Sequence, residues 1–144
     1  MALIFTDPNT AGPFTSFQIK DVTLKVFRLT NTNFATTNVD TLVGALPADS
    51  SIVRISTWVK TALSGNGVTL PTISLGTTSA GTDFLSALAV TNTTGTYATA
   101  SPVTGIMQAY NPPYTQDIRL YVRGGATTGN PTAGEIYLLV EYVR

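Results

Sequence analysis

The stretch Ser51-Ile52-Val53-Arg54-Ile55-Ser56-Thr57-Trp58-Val59-Lys60-Thr61-Ala62 decides the fold. Successive side chains leave a pleated strand on opposite sides, so sustained alternation in β-branched residues predicts a half-buried strand. Val53, Ile55, Thr57, Val59 and Thr61 form one face, apolar or methyl-bearing, suited to a core. Ile52, Arg54, Ser56, Trp58 and Lys60 form the other, with two cations around the only tryptophan of the chain.

Outward from this strand the chain keeps to short units. Ser64-Gly65-Asn66-Gly67 reads as a turn, because Asn and Gly accept positive φ cheaply. Val68–Leu75, with Pro71 inside it, reads as the returning strand of a hairpin. Upstream, Phe17–Thr30 is strand-like with a phase slip near Lys20-Asp21. Val22, Leu24 and Val26 lie on one face and Phe27 and Leu29 on the other, a strand to be covered on both sides. Asn31–Asn38 is a polar loop, and Val39–Leu46 an edge strand ending at Pro47. Downstream, Phe84, Leu85 and Leu88 follow Thr82-Asp83 at helical spacing, which predicts a turn or two of helix over 83–89. Thr91–Ser101 is polar and Thr/Gly-rich. Ile106, Gln108 and Tyr110 make a short strand that Asn111-Pro112-Pro113 ends. Asp117–Arg123 alternates, with Ile118, Leu120 and Val122 inward and Arg119, Tyr121 and Arg123 outward. Gly124–Gly134 is a flexible connection. Glu135–Val143, with Ile136, Leu138, Val140 and Tyr142 on one face, is a strand central to its sheet.

About seven or eight strands punctuated by Gly, Pro, Asn and Thr turns predict an all-β protein, an antiparallel β-sandwich of jelly-roll-like form with at most one short helix near 83–89. Strand count alone leaves jelly-roll and immunoglobulin-like connections open. The 144 residues fit one domain. Residues 1–16, with Pro8, Gly12 and Pro13 among Leu3, Ile4, Phe5 and Phe14, read as an N-terminal arm packing on its own domain or a neighbour, followed by a single sandwich over 17–144.

Charged residues make up 11% of the chain against a usual ~25%, with eight Lys/Arg and eight Asp/Glu. Thr, Ser, Asn and Gly fill the polar positions instead. Such a surface suits long-lived subunit contacts, whose cores are depleted in charge, and also follows from Thr-rich strands as such. There is no basic stripe for phosphates, which argues against nucleic acid. No apolar run approaches the roughly 18 to 20 residues that span a bilayer, and the N-terminus lacks a basic leader, so neither membrane nor export signal is expected.

Histidine and cysteine are both absent. That removes the usual neutral-pH base, thiolate chemistry and the common zinc ligand sets. No Gly-x-Ser-x-Gly elbow, calcium loop or Walker pattern occurs. The carboxylates are scattered singly. The expectation is a protein that is not an enzyme, with no catalytic, cofactor or metal residues. Among the aromatics, Trp58, Tyr97, Tyr110, Tyr114 and Tyr121 could stack on sugar rings, although packing is the commoner fate. Trp58 between Arg54 and Lys60 reads either as a contact surface or as a core tryptophan whose flanking cations extend outward.

Several segments together carry a resemblance. Thr61-Ala62 leads into Leu70-Pro71-Thr72-Ile73-Ser74-Leu75-Gly76-Thr77, then Asp83-Phe84-Leu85, and Thr132-Ala133-Gly134-Glu135 opens the closing strand with its Val140-Glu141-Tyr142-Val143. Over roughly 50–143 this order resembles the small jelly-roll or β-sandwich decoration (cement) proteins of tailed-bacteriophage capsids. The resemblance implies a non-enzymatic virion protein, made in the host cytoplasm, that binds and reinforces the head shell, with the major capsid protein as partner. It also implies a homo-oligomer, a trimer being favoured. The N-terminal arm and the loops 31–38 and 124–134 would then reach neighbours. The candidate interaction residues are Phe5, Phe14, Arg54, Trp58, Lys60 and Tyr114. The alternative is a carbohydrate- or host-binding module of a tail fibre.

Overall fold

The structure is a computed structural model, and it describes residues 22–48, 50–100 and 116–143. Among these residues there are eight strands: β1 (Thr23–Thr30), β2 (Val39–Leu46), β3 (Ser51–Ser64), β4 (Thr72–Gly76), β5 (Leu85–Ala89), β6 (Tyr97–Ala100), β7 (Ile118–Gly125) and β8 (Ala133–Val143). The one helical element among the described residues is a 3-10 turn at Asn31–Asn33. The strands form two four-stranded antiparallel sheets, β1-β8-β3-β6 and β2-β7-β4-β5.

This order separates the two topologies that strand count left open. The pairs β1·β8, β2·β7, β3·β6 and β4·β5 are nested one inside the next, as in one long hairpin rolled up. Rolling then brings β8 beside β3 and β7 beside β4. An eight-stranded double sheet built this way is a jelly roll.

The inner faces meet over a closed apolar core. Leu29, Ile55, Val59, Ile136, Leu138 and Val140 come from one sheet, and Leu46, Ile73, Leu75, Leu120 and Val122 from the other. The expected alternation of β7 and β8 holds, and β8 lies between β1 and β3. At the open side between β1 and β2, Gly44 lets the Phe27 ring close over its Cα, where a Cβ would stand 2.7 Å from a ring carbon. Lys25 shares the inward side of β1 and donates to the Ala45 carbonyl, which finishes that side with a polar contact.

Several expectations are corrected. The segment 83–89 is not helical: it contains β5, which pairs with β4. Its register shifts so that Ile73 faces Leu88 while Leu75 faces Leu85, and Ala87 takes φ 46°. This extra residue displaces the alternation by one, and a displaced alternation puts Leu85 and Leu88 at helical spacing. Asp83 does not cap a helix; it accepts from the Thr77 backbone N–H and hydroxyl.

The expected β3–β4 hairpin is absent. Both edges of β3 are taken, by β8 and β6, so the turn at 64–71 crosses to the other sheet. On β3 itself a register shift between Ile52 and Arg54 exchanges two neighbours, burying Ile52 and exposing Val53. From Ile55 to Val59 the face follows expectation. Gly124 and Gly125 belong to β7 rather than to the connection. The polar stretch after Thr91 contains β6. On β1, Phe27 and Leu29 are buried, while Leu24 and Val26, with Val22 just before the strand, stand about half exposed. The arm over 1–16 and the strand around Tyr110 lie outside the described residues.

Candidate interaction face

The outer face of the β1-β8-β3-β6 sheet gathers most of the side chains that could recognise a partner. Alternation along each strand sets the direction of its residues, and register sets their neighbours. Arg28 pairs with Tyr137, Tyr137 with Trp58, and Trp58 with Tyr97. One cation and three aromatics therefore form a row straight across four strands. Trp58 and Tyr137 stack, with centroids 5.6 Å apart and an interplanar angle of 16°. Offset parallel rings of this kind gain from their quadrupoles as well as from burial. Tyr97, on the edge strand, is 65% exposed.

Glu135 organises the charges beside this row. Its carboxylate accepts from Arg28 Nη2 at 3.0 Å, from Lys60 Nζ at 3.2 Å and from the Tyr137 hydroxyl at 2.6 Å. These contacts, Arg28 foremost, hold its pKa down at about 2. Lys60 also lies over the Tyr137 ring, 5.7 Å from its centroid. A second pair, Arg54 with Glu141, closes the far side of the face. The neighbouring row is uncharged, two aliphatic side chains and two hydroxyls: Val26, Leu139, Ser56 and Thr99. The face thus presents aromatic and aliphatic area whose ions are already matched to one another.

Of the residues singled out from sequence, Arg54, Trp58 and Lys60 lie on this one face, and Trp58 belongs to neither the core nor the contact with the other sheet. Phe5, Phe14 and Tyr114 lie outside the described residues. Arg28, Glu135 and Tyr137 were missed. Each sits on a strand whose alternation was legible, but their meeting with Trp58 depends on pairing across more than seventy residues. Tyr121 falls on the other sheet, near the bidentate Arg123–Asp40 pair. Among the described residues no three of His, Cys, Asp or Glu come together as a metal would need. The chemistry this face offers is non-covalent: stacking, hydrophobic contact and hydrogen bonds from matched ions.

No protein-family model matches the chain, and no curated protein matches it in sequence. Solved structures do. A chain of the "Cyanophage Pam1 capsid asymmetric unit" is 14% identical with a TM-score of 0.60, over 96% of this chain and 96% of that one. A chain of the "Capsid of Ralstonia phage GP4" is 18% identical with a TM-score of 0.52, over 99% of this chain and 91% of that one. At such identities the likeness is one of fold, and it extends over nearly the whole length of each chain: this jelly roll is similar to chains found in the capsids of two phages.

Proposed function

We propose that the chain is a non-enzymatic structural protein of a phage virion, a decoration (cement) protein that binds the head shell and reinforces it as a homo-oligomer, in the first instance a trimer. The observation that carries this reading is the end-to-end likeness of fold to a capsid chain of nearly equal extent. The charge-poor composition and the ion-paired cations of the outer face support it. Burying ions is expensive unless they are paired, and here Arg28, Lys60 and Arg54 already are.

In this reading the aromatic row lies between protomers. The test is mass in solution combined with binding to heads assembled without the protein. A stable oligomer that decorates such heads is expected. Truncating Tyr97 and Trp58 together to Ala should release monomers, since exposed aromatics in an interface core dominate its energy. A strictly monomeric protein that leaves heads bare would end the proposal.

The second reading, a carbohydrate-binding module, is favoured by one observation, the exposed Tyr97 ring beside hydroxyl-bearing neighbours. Stacking on Tyr137 already occupies one face of Trp58. A glycan array with hits that Tyr97→Ala removes would support it over the first; an empty array would count against it.

A further inference from the structure

Antiparallel pairing sends the β1–β2, β3–β4, β5–β6 and β7–β8 connections to one end of the sandwich. None of these four loops, residues 31–38, 65–71, 90–96 and 126–132, contains Asp, Glu, Lys or Arg. An ordinary soluble surface of that extent would carry several charges.

The end is also held together by neutral hydrogen bonds between loops. Thr69 and Thr128 exchange backbone and hydroxyl contacts. Asn130 accepts from Thr36 with its side chain and from Asn66 with its carbonyl. Asn92 binds both backbone groups of Leu63. At Gly129, with φ 66°, a Cβ would stand 2.1 Å from the Asn66 carbonyl oxygen, so the loops meet too closely there for any other residue.

At the tip of this arrangement stands Leu70, 67% exposed, with φ 42°. Left-handed backbone is penalised for a residue with a Cβ. Leu70 also precedes Pro71, and a residue in that position favours extended backbone. Elsewhere at this end the left-handed positions are filled by Asn38, Gly65, Asn66, Gly67, Gly95 and Gly129, which tolerate it. A leucine that gains little from burial and is held against its backbone preference points to selection by something other than folding.

We infer that this charge-free end is a docking tip and that Leu70 is its anchor, entering an apolar socket with an uncharged rim on another protein. The inference rests on the shell-binding reading and names the surface that would do the binding. Fixed loops lower the ordering cost of association, and the absence of ions removes the desolvation that a dry contact would otherwise require. A single apolar anchor in a pocket is how much of an interface's affinity is concentrated.

The experiment compares the full chain with Leu70→Asn, which suits left-handed backbone, and with Leu42→Asn, an exposed leucine on the opposite sheet, in binding to heads assembled without the protein. Expected is head binding weakened at least about tenfold for Leu70→Asn and unchanged for Leu42→Asn. The Leu70→Asn variant should also melt roughly 2–5 °C higher than wild type. Equal binding by wild type and Leu70→Asn would overturn the tip while leaving the shell-binding reading intact. Failure of the wild type itself to bind would remove that reading and the tip with it. A change in solution mass for Leu70→Asn would show the tip packing on a second copy and would also overturn the inference, as would a melting temperature no higher than wild type.

Discussion

Glu135 shows how much one residue can depend on distant strands. Its folded pKa of about 2 lies below the ordinary 4.5, so the stability it contributes is fully present above pH 4.5 and is lost as pH falls toward 2. Thermal melts across that window should show a decline, and Glu135→Gln should flatten part of it. Unchanged pH dependence in that variant would mean that the Arg28 and Lys60 contacts do not persist in solution. Asp40, lowered by Arg123, titrates in the same direction and accounts for some of the remainder. Little of this was visible in sequence. The alternation placed Arg54, Trp58 and Lys60 on one side of β3 correctly, but which strands supply the neighbours is a matter of pairing over long separations. Tyr137 was therefore passed over, although it touches Trp58, Lys60 and Glu135 together.

Elements were legible where alternation ran unbroken. Most of β3, β7 as far as Arg123 and β8 from Glu135 onward have the faces their residues require, because each buries one side against a core. Bulges hid the rest. In β5 the displaced residue gave leucines a helical spacing, and in β3 it exchanged Ile52 with Val53. The β5 irregularity has its own support, since the Ala87 N–H donates to Ser74 Oγ at 2.8 Å. Ser74 is buried, so Ser74→Ala leaves that donor unmatched at the edge of the sheet. A loss of about 1 kcal/mol in urea unfolding is expected. Ala87→Gly should instead be neutral or slightly stabilising, because φ 46° suits glycine. If Ala87→Gly is the more damaging of the two, the bulge is not the arrangement present in solution. The edge strand β1 is the other place where sequence spoke clearly. Its two apolar faces were expected to be covered on both sides, and the described residues cover only the face that carries Phe27 and Leu29.

For the molecule as a whole, composition and turn spacing were enough for an all-β sandwich, and the absence of helical periods ruled out α/β layers. Strand order was not legible, because nothing local distinguishes a strand that turns back on its neighbour from one that crosses to the other sheet. The β3–β4 connection is the instance: its Asn-Gly signal is that of a hairpin, yet β3 has no free edge to offer β4. Order does decide what can be removed. β8 is the sole partner of β1 in the described structure and one of two partners of β3. Deleting Ala133–Val143 should therefore abolish cooperative unfolding rather than lower the melting temperature, and amide exchange should show no protected β1. A truncated chain with a protected β1 would contradict the pairing.

Nesting also sets a timetable for synthesis. Of the eight described strands a chain emerging from a ribosome presents β1 and β2 first, but their partners are β8 and β7, the last of the eight to be made. Until those appear, only the β4·β5 and β3·β6 pairs can close, and two edges wait unmatched beside them. The sandwich can close only once β8 has been made, when that strand slides between β1 and β3. Its early strands must stay apart from those of sister chains on the same message until then, and a shortage of time or of shelter at that moment would yield exchanged strands in place of finished subunits.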